Sequence, residues 1–319
     1  MPGPTFLRRL AACALAGLSL LLAPIALAQE AVRLPGTTWS IVLPEGLAPL
    51  TRPLQSQQGQ DHARLVVEQY APDGSAFPPP RTGTVIDGVR LDTTQRIERP
   101  DGLAFLSEGV HEGFQATVIR FDIATATSTL SAFVIVPGPA RPRIDLGAIR
   151  SALQSMVEGK AGQEEWLAGF PLVMPEMPGM RLVSVIGGTV ARWTDGPVAD
   201  SSQSATQRFI RIAAFEVTRE QAQALRRTSL EAELAEAIRS EHPAALVTKT
   251  HANRVAGGYV SVAFYQRRHE TGPHVQGVSL ARVDGQYFIT FEGHSGMSDP
   301  LAHEDFYALF MQIRARAAP

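Results

Sequence analysis

Gly293-His294-Ser295-Gly296-Met297 is the stretch whose residue types and spacing come nearest to recognisable chemistry. A serine beside histidine and glycine, after a strand-like run and before a helical one, resembles in outline the nucleophile elbow of serine hydrolases. That elbow needs glycine two positions beyond the serine so that the turn can close, and Met297 stands there instead. The strands around it read as antiparallel, which the hydrolase sheet is not. A polar strand-to-helix turn accounts for these residues, so no catalytic residue is assigned. A hydrolase using Ser295 is kept only as the least favoured alternative.

His294, His303, Glu304 and Asp305 gather near the same segment, with His269, Glu270 and His274 at the other end of the preceding strands. Imidazole and carboxylate are the groups a transition metal needs. No two histidines lie four apart on a helix, however, and His303 falls on a helix's exposed side. Solvated surface is the expected role, with no metal ligand and no cofactor. His62, His111, His242 and His251 are scattered singly and read as surface or core-edge residues. Trp39, Trp166 and Trp193 read as core or rim aromatics, with the lining of a cleft between two halves as the alternative. Glu231, Glu233, Glu236, Arg239 and Glu241 read as a solvated helix face.

Composition removes several function classes. The 319 residues carry 29 basic and 31 acidic side chains, a formal net charge of −2, so nothing in the balance attracts nucleic acid. The single cysteine, Cys13, lies in an N-terminal segment that reads as a secretory signal: Arg8-Arg9, an apolar run through Leu20-Leu21-Leu22, then Ala26-Leu27-Ala28 before Gln29. Removing residues 1–28 leaves no thiol, which excludes cysteine nucleophiles and thiolate metal sites. No later segment approaches the ~18 consecutive apolar residues of a membrane span. The Ala, Arg and Gly content fits a GC-rich bacterium and a periplasmic or secreted protein.

Periodicity supplies the elements that would carry any site. Tyr259 to Tyr265 alternates, His274 to Val283 resumes the alternation, and Asp284-Gly285 marks a tight hairpin into Gln286 to Glu292, giving an antiparallel meander. A helix then starts at Asp299-Pro300 and carries Phe306, Leu309, Phe310 and Ile313 on one face, with Arg314 and Arg316 near its end. The first half ends the same way. Leu103 to His111, Phe114 to Ile123 and Ser128 to Val136 are strands, followed by a helix capped by Asp145 with Leu146, Ile149, Leu153 and Met156 or Val157 inward. Further strands are expected over Arg64 to Tyr70, Arg181 to Val185, Thr189 to Trp193, Gln207 to Val217 and Leu246 to Val255. A helix is expected from a capping box at Thr228-Ser229-Leu230-Glu231. Thr84 to Arg99 fits neither period.

Ile41-Val42-Leu43-Pro44-Glu45 and Leu172-Val173-Met174-Pro175-Glu176 match in apolar character and end in Pro-Glu, each downstream of a tryptophan. With the repeated meander-plus-helix ending, the pair points to an internal duplication. The expected fold is therefore α+β, as two related units, each an antiparallel sheet with one or two helices packed on it. The boundaries are 1–28 signal peptide, 29–158 first unit, 159–165 linker and 166–319 second unit. This order of elements resembles the PsbP-like superfamily. The resemblance implies antiparallel sheets under helices and a binding or assembly role without chemistry. The sequence thus predicts a non-enzymatic binding or assembly module of the bacterial envelope, partnered by another envelope protein. A small-ligand binder using the cleft between the units is the alternative.

Overall fold

The computed structural model of the chain describes residues 31–44, 47–49, 63–72, 80–86, 88–111, 113, 115–159, 163–197, 204–268, 272–299 and 302–316. The expected signal segment, together with His62, His269, Glu270 and Pro300, lies outside these residues. Nineteen strands and four α-helices follow one another among them. The first half holds β1 (Val32–Arg33), β2 (Trp39–Ile41), β3 (Leu47–Pro49), β4 (Ala63–Tyr70), β5 (Val85–Ile86), β6 (Val89–Arg99), β7 (Gly102–His111), β8 (Ala116–Thr125), β9 (Thr129–Pro137), α1 (Leu146–Gln154) and β10 (Val157–Glu158). The second holds β11 (Leu172–Val173), β12 (Arg181–Ile186), β13 (Val190–Thr194), β14 (Phe209–Glu216), α2 (Arg219–Arg227), α3 (Glu231–Glu241), β15 (Leu246–Val255), β16 (Gly258–Arg268), β17 (His274–Asp284), β18 (Tyr287–Gly296), α4 (Ala302–Gln312) and β19 (Arg314–Ala315).

The two expected sheets are one. Thirteen strands run antiparallel in the order β15-β16-β17-β18-β14-β13-β12-β4-β9-β8-β7-β6-β5, and β3 joins β4 in parallel. The α+β arrangement of two related units, each with its own sheet, is therefore not what forms. The join is made by the β12–β13 hairpin, which turns at Gly187 and Gly188, both at positive φ (53° and 67°). Its outer strand pairs with β4 through Ser184↔Tyr70, Val185↔Gln69 and Ile186↔Glu68. Ala71 N donates to Val183 O and Gly187 N to Val67 O beside them. Two separate sheets would each leave the edge groups of these strands to solvent; pairing them satisfies both edges.

Within the one sheet, the strand order of the first half recurs in the second. β4 pairs with β9 at the end of the meander β7-β8-β9, and β14 pairs with β18 at the end of β16-β17-β18. Of the first Pro-Glu segment, Glu45 lies outside the described residues; two short pairings lie beside these segments. β2 pairs with β10 just after α1, and β11 pairs with β19 just after α4.

Alternation explains both faces. In β4, Ala63, Leu65, Val67 and Gln69 are buried while Arg64, Val66, Glu68 and Tyr70 are half-buried. The buried side joins Trp39, Phe121, Ile119 and Val134 under Ile149 and Leu153 of α1. In the second half Ile212, Val262, Leu280 and Phe291 pack under Phe306, Phe310 and Ile313, with Trp166 and Phe170 at the side. Each large side chain so buried contributes about 1.5–3 kcal/mol. On the opposite face, α3 sets Leu234 and Ile238 over Ala263, Tyr265 and Ala281.

Helix boundaries differ from expectation in instructive ways. Asp145 caps α1, accepting from Gly147 N at 2.8 Å and Ala148 N at 3.1 Å. Thr228 caps no N-terminus, because it closes α2, a helix the sequence reading did not anticipate. The true capping box is Thr218 with Gln221, and α3 starts at Glu231 behind Leu230 without a side-chain cap. Asp299 is taken by Arg208, which donates to it from both Nε (2.6 Å) and Nη2 (3.0 Å). Arg314 and Arg316 lie beyond the last helix, where Arg316 donates to the carbonyls of Leu167, Ala168 and Leu172. The ambiguous region 84–99 is mostly β6, polar because it lies near the sheet's end. At the other end β15 carries a bulge beside Thr248 along with Lys249 and Arg254, features that discourage another strand from adding on. Among the described residues no helix is long and apolar enough to cross a membrane.

Candidate functional site

One row of cross-strand partners forms the floor of a cavity on the sheet face opposite α1 and α4. Tyr70 of β4 pairs with Ser184 of β12, Ser184 with Arg192 of β13, Arg192 with Arg211 of β14, and Arg211 with Glu292 of β18. The row crosses the seam where the two halves of the sheet meet. Two arginines directly opposite each other on neighbouring strands repel. Each is therefore answered by a carboxylate on its far side. Arg192 Nη1 donates to Glu68 at 3.0 Å, and Arg211 Nη2 lies 2.7 Å from Glu292 and 2.8 Å from Glu241 of α3.

Glu292 is the hub. Besides Arg211, its Oε1 accepts the Tyr265 hydroxyl at 2.8 Å and lies 3.3 Å from His242 Nε2. Burial alone would raise its pKa. The His242 bond, the Arg211 charge and the Tyr265 bond outweigh burial and hold the carboxyl well below the usual carboxylate range. Burial disfavours the Arg211 charge, but Glu292 and Glu241 more than offset this and raise its pKa. Tyr265 is pushed far above the ordinary phenol value, first by burial and then by Glu292; Tyr70 rises for the same reasons, with Glu68 in the second role. Both hydroxyls therefore stay protonated donors at neutral pH.

Tyr265 reaches Glu292 by lying across Gly277, its partner on β17. A Cβ at Gly277 would fall 2.6 Å from the Tyr265 hydroxyl oxygen and closer still to the ring. Gly277→Ala is expected to push the ring off Glu292 and cost about 2–3 kcal/mol through overpacking and the lost charge-assisted bond. Urea denaturation checks it. In a Tyr265→Ala background the same glycine substitution should cost much less, because the clash is gone.

The cavity encloses about 410 Å³. Val183 and Phe209 give it apolar wall, while Ser184, Arg192, Arg211, Arg267, Glu241, His242, Glu292 and His294 give it polar groups; Trp193 and Ile210 border it from strands whose side chains at those positions face the α4 core. Ser184 is buried, and its Oγ has no hydrogen-bond partner among the described residues; the same holds for the buried Nε of Arg267.

The residues singled out from sequence are mostly dispersed. His294 lines the cavity with its ring 5.2 Å from Phe209. Ser295, the next residue, is fully buried, and its Oγ donates to Gly296 O at 3.4 Å. Neighbours along a strand point to opposite faces, so His294 and Ser295 do not face each other. The expected strand-to-helix turn at 293–296 is still strand, with every residue paired to β17. His303 packs against Phe264 at 4.9 Å, and burial lowers its pKa. Glu304, Asp305 and His274 are exposed, Asp305 accepting from Arg208 at 2.9 Å. Among the described residues no three histidines, cysteines or carboxylates could share a metal ion. Trp39 is buried in the first-half core and Trp166 and Trp193 in the second-half core, Trp193 at a position that borders the cavity. Sequence reasoning placed His242 at the surface or the core edge and Glu241 on a solvated face; both come to the site. It passed over Arg211 and Glu292, charged residues inside otherwise apolar strands, which were the available signal.

No family model matches the chain, and no curated protein does. Among solved structures the chain is similar to the immunity protein TplEi of T6SS from Pseudomonas aeruginosa, complexed with "L" peptide, at 8% identity over 90% of this chain and 99% of that one, with a TM-score of 0.29. At that score a shared fold is not defined, and nothing below rests on it.

Proposed function

We propose that this protein is an exported binding module of the bacterial envelope that takes a small ligand in the cavity at the seam of its sheet and performs no covalent chemistry on it. The reading is carried by the cavity floor, where a buried serine hydroxyl with no hydrogen-bond partner among the described residues sits beside arginines already held in place by carboxylates. Such a floor costs stability unless something pairs with it, since buried polar groups are ordinarily satisfied. Arg8-Arg9, the leucine-rich run and Ala26 to Ala28 support export. The cavity moves a small ligand ahead of assembly with another envelope protein.

Thermal unfolding tests this. Protein purified gently from its host is compared with the same protein unfolded in guanidinium, dialysed and refolded. A ligand held at about 100 times its Kd adds about 2.7 kcal/mol, several degrees of Tm for a chain of this length. The gently purified sample should melt higher, and a Ser184→Trp variant, which fills the cavity, should show no difference. Equal melting of the two wild-type samples would count decisively against the proposal.

A further inference from the structure

We infer that the cavity ligand is a small organic acid, a single carboxylate on an apolar body; this rests on the binding role proposed above. The first ground is the sign of the unused hydrogen-bonding capacity. The site's acceptors are engaged: Glu292 takes Arg211, His242 and Tyr265, Glu68 takes Arg192, and Glu241 takes Arg211. Donors remain. Arg267 Nε and Ser184 Oγ are buried and bond to nothing among the described residues. Arg192 donates to Glu68 through Nη1, and Arg211 to Glu241 and Glu292 through Nη2. An incoming oxygen acceptor would satisfy these groups, whereas an amine could pair only with Ser184 Oγ, would leave the guanidinium N–H groups unpaired and would add a like charge.

The second ground is charge. Guanidinium N–H groups suit a planar carboxylate, with which they form two parallel bonds. Arg192, Arg211 and Arg267 are equal in number to Glu68, Glu241 and Glu292, so every negative charge a ligand brings is in excess, and a monoanion costs less than a dianion such as phosphate. The third ground is the wall. Val183 and Phe209 present apolar side chains to the same cavity, and its volume of about 410 Å³ falls within the range of small-molecule sites. A carboxylate head on Arg267, whose Nε is buried and unpaired among the described residues, would leave the apolar body of the acid against these side chains.

Isothermal titration with octanoate, phenylacetate and indole-3-propionate, each beside its uncharged amide, and with inorganic phosphate, tests the assignment on the refolded full-length mature protein. At least one acid should bind at least about tenfold more tightly than its amide, consistent with the differential worth of a charge-assisted bond, and phosphate should not bind. Arg267→Gln should weaken that acid by about tenfold without lowering Tm, Arg267→Lys should recover part of the loss, and Ser184→Trp, which fills the cavity, should abolish binding. The inference is overturned if every amide binds as tightly as its acid, if phosphate binds in their place, or if no acid binds. A stabilising ligand lost on refolding, found together with any of these results, would sink the organic-acid assignment and leave the binding role standing. Absence of both would remove the two together.

Discussion

Phe310→Ala is expected to lower the stability of the whole sheet by about 3–5 kcal/mol, the cost of emptying a large aromatic site in a core that cannot close up. Phe310 is fully buried on α4, edge-on to Phe291 with centroids 5.8 Å apart, and Arg282 sits over its ring at 5.0 Å. Beneath it lie strands hydrogen-bonded on both sides, so the floor cannot rise to fill the void. The readout distinguishes the observed fold from two independent units. Trp39 sits in the first-half core and Trp166 in the second, far apart in sequence. With single-tryptophan variants, both probes should report the same lowered urea midpoint, because the β4–β12 pairing makes one sheet of the two halves. An unchanged Trp39 midpoint would show that the halves unfold separately.

Glu292→Gln is expected to cost about 2–3 kcal/mol at neutral pH. The figure sits below that for a fully buried ion pair, since the Arg211 side chain is 40% exposed and keeps Glu241. The loss should depend on pH in a defined direction. The folded carboxyl titrates below its unfolded value, so its ionised form stabilises the fold above about pH 4.3, and that contribution drains away as pH falls towards the folded pKa. Wild type and Glu292→Gln should accordingly converge in stability on acidification. Chemical denaturation at a series of pH values checks this. A difference that stayed constant down to the acid limit would mean that the Glu292 charge plays no part.

Much of the strand pattern was legible because alternation records which face of a strand is buried. The meander from Tyr259 to Glu292, the hairpin around Gly187-Gly188 and the Asp145 cap all follow from local rules. What alternation does not record is the neighbour. Nothing in Arg181 to Ile186 states that its outer edge will meet β4, more than a hundred residues away, and the single sheet was missed for that reason. The capping boxes show a second limit. Thr228-Ser229-Leu230-Glu231 and Thr218-Arg219-Glu220-Gln221 both fit the pattern, and packing of α2 across β16 and β17 selects the second.

The site was less legible than the fold because its members come from six strands and a helix end. Tyr70, Ser184, Arg192, Arg211 and Glu292 acquire meaning only once the pairing aligns them in one row. His294 was noticed for its neighbour Ser295, yet it faces the cavity from which Ser295 is turned away. Arg211 carried the clearest signal, a guanidinium between Ile210 and Ile212 on a strand otherwise apolar up to its last residue, Glu216.

Native mass spectrometry of the protein purified gently from its host tests the cavity's role most directly, with Ser184→Trp measured alongside. The account predicts a fixed increment above the mass of the chain beginning at Gln29 in the wild type, and the bare chain mass in the variant. A bare mass in both, or the same increment retained when the cavity is filled, would contradict it.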